Sequence, residues 1–329
     1  MKAYVISNPG GPEVLELKET PDPIANKGQV HIQIKAFGLN RAEAITRMGG
    51  SGKAVKFPRV IGIECVGVVL DCPGGELSEG QTVVAAMGEM GRAYDGSYAE
   101  QTVVPVTNAF PIETSLDWTT LAAIPETYFT AWGCCFESLK LDTFEKPNVL
   151  LRPGASALAI AMTQIINHLG GQVIGVTRSP QKVERMLETG MHRVLVSSDP
   201  VADEVLAEWP DGADGVLDTI VSKMSLEDDF RMRSKRAHLC LAGSLEDSYG
   251  DKGGSFAKAM LRPRVGFYDS GTISVKKDGQ KIQEIVRSVE NGIYRPFIDS
   301  VYPFSQLIEA HEKMDQNGFT GKVVIQVGK

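Results

Sequence analysis

Apolar and polar residues alternate along the first third of the chain. Val14-Leu15-Glu16-Leu17-Lys18-Glu19 and Val30-His31-Ile32-Gln33-Ile34-Lys35 carry the two-residue period of half-buried strands. Turn chemistry separates them at Pro21, Pro23 and Asn26-Lys27-Gly28. Arg41 to Met48 reads as one short helix. A long apolar strand region follows from Val60 to Leu70, broken by Gly62 and Gly67, and Thr82 to Ala86 and Tyr98 to Val104 read as further strands. Short strands punctuated by glycine and proline over residues 1–110 predict a small barrel-like β domain.

From Leu116 the spacing becomes helical. Leu116 to Ile124 and Glu126 to Leu139 are separated by Pro125, which ends one helix and starts the next. The clearest unit runs from Pro147 to Gln181. There an apolar run, Val149-Leu150-Leu151, leads into the small-residue turn Arg152 to Ala157. Leu158 to Leu169 has helical length and is closed by Gly170-Gly171, and Val173 to Thr177 is β-branched. Strand, turn, helix and strand in about thirty residues form a βαβ unit. The alternation continues with a helix over Lys182 to Thr189, a strand over Arg193 to Val196 and a helix over Ala202 to Trp209. Strands over Gly215 to Asp218, Ala237 to Ala242 and Arg264 to Tyr268 complete it. Six such strands predict an α/β domain with a doubly wound parallel sheet. The last sixty residues predict a helix over Gly279 to Asn291, a β piece over Phe297 to Tyr302 and a helix over Ser305 to Asn317. A closing strand over Lys322 to Val327 is expected to return to the first domain. The expected division is 1–120, 121–272 and 273–329.

The turn after Val149-Leu150-Leu151 sits where a helix N-terminus would receive a pyrophosphate. Its glycine fingerprint is altered, with Pro153, Ser156 and Ala159 at the glycine positions. Serine and alanine are small enough for close backbone approach. The turn alone leaves open a nucleotide cradle or an ordinary α/β domain.

Composition narrows the partners. The 329 residues carry a formal charge of -7 and no basic cluster, which disfavours nucleic acid. No apolar run approaches the roughly 20 residues of a membrane span. Met1 to Ile6 reads as a first strand, soon interrupted by Asn8-Pro9-Gly10-Gly11-Pro12, and not as a signal peptide, so a cytoplasmic protein is expected. The five cysteines are odd in number and lack C-x-x-C spacing, which predicts reduced, buried thiols.

Several strings share an order and spacing: Gly38-Leu39-Asn40-Arg41, Phe57 to Glu64, Gly80-Gln81-Thr82-Val83 and Gly96-Ser97-Tyr98-Ala99-Glu100. They continue with Ala122 to Glu126, Thr130-Ala131-Trp132 and Thr320-Gly321-Lys322-Val323-Val324. Together they resemble the medium-chain dehydrogenase/reductase superfamily, in its zinc-free quinone oxidoreductase-like branch, over essentially the whole chain. The resemblance implies a GroES-like β-barrel catalytic domain, a Rossmann domain and an NADPH cofactor in the cleft between them. Zinc-dependent relatives need a cysteine and a Gly-His-Glu. Here Asn40 and Gly62-Ile63-Glu64 stand in those regions, so no metal is expected. Past the second Rossmann strand, Thr177-Arg178-Ser179 and Lys182 supply no carboxylate for a ribose 2′-hydroxyl and can bind a 2′-phosphate, which favours NADPH.

By resemblance, Asn40 lies near the nicotinamide ribose and substrate, and Thr130 lies near the nicotinamide ring. Gly243 and Ser244 pass beneath the ring, and Thr219 and Tyr268 face the cofactor. Ser197 stands where many relatives place a phosphate-touching tyrosine, Lys322 reaches into the cleft, and Ser156, Ala157 and Leu158 form the pyrophosphate turn. Asn40, Thr130 and Tyr128 are the catalytic candidates. Ile45 and Gly49-Gly50-Ser51 replace the tyrosines of many relatives, leaving Tyr94 and Tyr128 as hydroxyls that could approach. The five histidines read as structural or exposed. The expected activity is hydride transfer from NADPH to a quinone or α,β-unsaturated carbonyl. An enoyl-thioester reductase and a non-catalytic NADPH-binding redox sensor are the alternatives. Homodimerisation through the sheet edge at Arg264 to Gly271 is also implied.

Overall fold

The computed structural model describes residues 1–198, 200–243, 254–268 and 279–328. It divides into two compact units, one formed by Met1–Phe129 with Ser270–Lys329 and the other by Thr130–Asp269.

In the first unit, β1 (Lys2–Val5) pairs antiparallel with β2 (Glu16–Glu19). The strand expected from Val14 starts later, because Pro12–Val14 close a single 3₁₀ turn before it. The ten residues of β3 (Gln29–Gly38) form the spine of the unit. The strand is followed by α1 (Arg41–Arg47), β4 (Glu64–Asp71), β5 (Thr82–Ala86), β6 (Gln101–Pro105), β7 (Ala109–Pro111) and α2 (Trp118–Ala122). Asp117 caps α2 by accepting from the N–H groups of Thr119 and Thr120. The next helix, α3 (Pro125–Gly133), begins on its proline and runs through the division between the units.

The second unit is the α/β domain. Its elements run β8 (Asn148–Arg152), α4 (Ala157–His168), β9 (Gln172–Thr177), α5 (Val183–Glu188), β10 (Arg193–Val196) and α6 (Ala202–Glu208). They continue through β11 (Ala213–Asp218), α7 (Lys223–Met232), β12 (Arg233–Leu241), α8 (Gly254–Met260) and β13 (Val265–Phe267). All six strands are parallel, in the order β10-β9-β8-β11-β12-β13. The order reverses direction at β8, as a doubly wound sheet requires. Leu150, Ile174, Val216 and Leu239 form its buried layer. The polar stretch that forms α7 gives no apolar periodicity, because its buried residues include Asp228 and Asp229 as well as Leu226 and Met232.

The chain then returns with α9 (Gly279–Glu290), β14 (Ile298–Pro303), α10 (Leu307–Asp315) and β15 (Lys322–Gln326). The closing strand rejoins the first unit: β15 pairs antiparallel with β3, setting Val324 opposite Gly38. The resulting seven-stranded sheet runs β14-β15-β3-β4-β5-β7, with β6 also on β3. Its core joins Ile32, Phe37, Tyr98, Leu307 and Ile325, with the rings of Phe37 and Tyr98 stacked at 5.1 Å.

Candidate functional site

Asn40 is the N-cap residue of α1, and the Glu43 carboxylate reaches back to accept its backbone N–H at 2.7 Å. The Asn40 side chain turns to two other partners. Its Nδ2 donates to Glu64 Oε1 at 2.8 Å, and its Oδ1 accepts from Lys322 Nζ at 2.8 Å. Lys322 and Glu64 form an ion pair at 2.5 Å, with both side chains almost fully buried. The other Glu64 oxygen accepts the Glu126 N–H at 2.7 Å, in the first turn of α3. Glu64 thus joins β4 to the starts of α1, α3 and β15. Gly38 makes room for this contact: a Cβ there would lie 2.1 Å from Lys322 Cε and 2.6 Å from Glu64 Oε1.

A second buried network lies behind the first. Glu43 accepts from Ile63 N–H at 2.9 Å and from the Tyr98 hydroxyl at 2.9 Å. Arg47 donates through NH1 to His311 Nδ1 at 2.8 Å and through NH2 to Asp315 at 2.5 Å. Because Arg47 can only donate, His311 Nδ1 must accept, so the ring is neutral with its proton on Nε2, which donates to the Tyr98 oxygen at 2.8 Å. Burial, with Arg47 and Arg41 beside it, lowers the His311 pKa to about 3. Burial pushes Glu43 up to about 7, against the pull of the Ile63 and Asn40 N–H groups.

In the second unit the candidates line one edge of the sheet. Ser156, Ala157 and Leu158 follow β8, and Thr177, Arg178 and Ser179 close β9 or follow it. Ser197, Thr219, Gly243 and Tyr268 follow β10, β11, β12 and β13. Ligands of open parallel sheets bind at the carboxyl ends of the strands. Backbone bonds tie these loops together: Gly154 N–H to Val176, Ser197 N–H to Thr177, Thr219 N–H to Arg152 and Tyr268 N–H to Leu241. The Ser156 hydroxyl caps α4 by accepting from Ala159 N–H at 3.1 Å, while donating to the Pro153 carbonyl. A helix start leaves the N–H groups of Ala157 and Leu158 without intrahelical acceptors. A Cβ on Gly154 would lie 2.8 Å from Gly175 Cα, so the turn presses against β9. Thr177 Oγ1 accepts the Ser179 N–H, Arg178 is exposed and Lys182 is half-buried. These donors and cations fit a pyrophosphate and a further phosphate. Gly243 has φ +103°, which favours glycine. Ser244 lies outside the described residues.

The remaining candidates divide between the units. Asn40, Lys322 and Tyr128 belong to the first, where Asn40 and Lys322 meet. Tyr128 is buried against Tyr294, with ring centroids 5.8 Å apart, and burial raises its hydroxyl pKa, so it holds its proton. Tyr94 donates to the Gly88 carbonyl, and burial raises its pKa too. Thr130, half-buried, and Tyr268, buried, belong to the second unit, and the Tyr268 hydroxyl occupies the space a Cβ on Gly133 would need. Sequence reasoning did not single out Glu64, Glu43, Arg47 or the His311–Tyr98 pair. Glu64 had a signal: it is the only charge between Val60 and Leu70, so it needed a buried cation.

A doubly wound parallel sheet with phosphate-suited loops in one unit, and in the other a β sheet that the C-terminal strand rejoins, define a class of two-unit dinucleotide-fold oxidoreductases. Residues 26–114 match the model of the alcohol dehydrogenase GroES-like domain, and residues 189–325 match that of the zinc-binding dehydrogenases. Quinone oxidoreductase of Rattus norvegicus is 26% identical over 99% of this chain and 97% of its own length. That of Homo sapiens is 25% identical over the same shares. A solved NAD-dependent alcohol dehydrogenase superposes with TM-score 0.83 at 28% identity over the whole of both chains. Escherichia coli quinone oxidoreductase complexed with NADPH superposes at 0.84 with 19% identity, over 99% of this chain and 100% of its own. The chain belongs to the medium-chain dehydrogenase/reductase superfamily, in its quinone oxidoreductase-like branch.

Proposed function

We propose that this oxidoreductase is a zinc-independent, NADPH-dependent reductase of quinones or α,β-unsaturated carbonyls. The observation that carries the reading is the row of loops at the carboxyl edge of the parallel sheet, with a capped helix start after β8 and a cationic, carboxylate-free end to β9. The quinone oxidoreductases among the relatives support the acceptor class. A bound nicotinamide would supply the hydride. Ala157 and Leu158 N–H groups hold the pyrophosphate, with Ser156 keeping the helix end in shape. Arg178, Ser179 and Lys182 select the 2′-phosphate. Ser197, Thr219, Gly243 and Tyr268 shape the rest of the cofactor edge, with Ser244 assigned there from the resemblance alone. Thr130 and Asn40 are assigned to the nicotinamide end from the resemblance, with Lys322 buried behind Asn40 and holding its amide oxygen. With the Tyr128 and Tyr94 hydroxyls holding their protons, solvent protonates the product enolate or quinolate.

Zinc does not fit the residues of the first unit. Asn40 and Ile63 replace the sulfur and imidazole donors a tetrahedral site needs, and the Lys322 ammonium already bridges Glu64 and Asn40. Dimerisation is supported by β13, which ends the parallel sheet and leaves Phe267 exposed. Light scattering should give twice the 35.6 kDa chain mass, and the chain mass alone would overturn dimerisation. Purified protein should oxidise NADPH faster with a panel of quinones and enals than without, and with a lower KM for NADPH than for NADH. Tight NADPH binding without turnover would replace this reading with that of a non-catalytic sensor.

A further inference from the structure

The Asn40 amide has an orientation that its partners dictate. An ammonium can only donate, so the atom facing Lys322 Nζ is the amide oxygen. The ionised partner of that ammonium, Glu64, can only accept, so the atom facing Glu64 Oε1 is the amide nitrogen. One Nδ2 hydrogen is consumed by Glu64, leaving the second to donate elsewhere. Asn40 is half-buried, whereas Glu64 and Lys322 are buried, so it is the member of the trio that a ligand can reach. Glu64 also accepts the Glu126 N–H, which fixes the start of α3, the helix that carries Tyr128 and Thr130.

We infer that Glu64 is a positioning residue: with Lys322 it locks Asn40 as a hydrogen-bond donor toward a ligand oxygen, such as the carbonyl that gains negative charge as hydride arrives. This rests on the reductase reading for its substrate, and on the first unit alone for its geometry. The charge balance is part of the device. The Lys322 cation is cancelled by Glu64, so what remains at Asn40 is an oriented dipole, and a preorganised donor of this kind acts where charge develops. Gly38 belongs to the same device, since any larger residue would displace the Lys322 stem from Glu64.

The test uses the full-length protein with Glu64→Gln and the double variant Glu64→Gln/Lys322→Met. In nitrogen–proton correlation spectra, the Asn40 side-chain amide is assigned by its loss in Asn40→Asp. It should be shifted and protected from exchange in the wild type, and should move to the position of a free asparagine in Glu64→Gln. With menadione as acceptor, kcat should fall about ten- to a hundredfold in Glu64→Gln, while the NADPH Kd stays within a factor of about three. The double variant removes both buried charges. It should regain thermal stability relative to Glu64→Gln without regaining kcat. Unchanged Asn40 amide signals, or a kcat that returns together with stability, would overturn the inference and leave Glu64 a purely structural residue. A wild type that turns over neither quinones nor enals defeats the reductase reading instead, and the amide spectra still decide the role of Glu64.

Discussion

Each unit buries an arginine among carboxylates, and the two treat it differently. In the first unit, Arg47 is fully buried and all three guanidinium nitrogens are satisfied, by the Gly10 carbonyl, His311 and Asp315. In the second, Arg152 bonds Asp228 at 2.7 Å through NH2, but its Nε has no hydrogen-bond partner. Asp229, 3.6 Å from the same guanidinium, is buried with neither oxygen in a hydrogen bond of good geometry. Burial and the nearby carboxylates of Asp218 and Asp228 hold its carboxyl well above the usual range. The Arg47 network ties α1 to α10 across more than two hundred residues of sequence and ends at the half-buried Asp315. The Arg152 cluster lies directly below the turns after β8 and β11 that carry Ser156 and Thr219. A complete buried network stabilises, whereas a partly satisfied one costs stability, and native proteins tolerate that cost near sites of function.

The largest effect should separate the two arginines. Arg47→Met leaves Asp315 only the more distant Arg41 guanidinium at 3.9 Å and takes the donor from both His311 Nδ1 and the Gly10 carbonyl, and should destabilise by about 3–5 kcal/mol. Arg152→Met should cost less, about 1–3 kcal/mol. Asp228 keeps the N–H groups of Val201 and Ala202 at 2.9 and 3.0 Å, and the substitution removes an unsatisfied Nε. Urea unfolding of both variants at neutral pH measures the difference. Equal losses would erase the contrast between the networks.

The same contrast explains what could be read from sequence. The β8–α4–β9 unit was legible because each piece carries its own signal: an apolar run, a small-residue turn and a β-branched run. The row of candidates past the strand ends came from the family resemblance laid on that order. The helix α7 was not legible, because Asp228 and Asp229 interrupt its apolar face, and what satisfies Asp228 is Arg152, 76 residues away. Asn40 and Lys322 were each singled out by resemblance, but their meeting depends on Glu64, 258 residues from Lys322. A lone carboxylate in an apolar strand announces that a cation is needed. It cannot say which one, because pairing at that range leaves no period in the chain.

A smaller effect should appear in the pH dependence of the first network. Glu43 is raised in the folded protein from 4.5 to about 7, so its contribution to stability is lost as pH rises between those values. His311 is lowered from 6.5 to about 3, so its contribution is lost as pH falls through that range. Between about 4.5 and 6.5 the two slopes oppose each other, and wild-type stability should be nearly level in that window where these two groups govern it. His311→Gln should leave a stability that falls as pH rises from 4.5 toward 7, and Glu43→Gln one that rises from 3 to 6.5. Urea midpoints at half-unit intervals test the signs. Parallel slopes in the two variants would mean that Tyr98 does not couple the groups as drawn.

The smallest effect belongs to Asp229. A carboxyl raised in the folded state binds a proton that the unfolded chain gives up, so folding is favoured below its ordinary value of 3.8 and progressively penalised as pH rises above it. Asparagine has the shape of the protonated acid and carries no such penalty. Asp229→Asn should therefore leave stability at pH 5 within about 1 kcal/mol of wild type and improve it, relative to wild type, at pH 8. The comparison of urea midpoints at the two pH values carries the argument, because a packing defect would lower both alike. If the variant instead loses about 3 kcal/mol or more at pH 8, Asp229 is an ionised partner of Arg152. The second network is then as complete in its charges as the first, and the cluster at the turns after β8 and β11 is not where the protein spends stability.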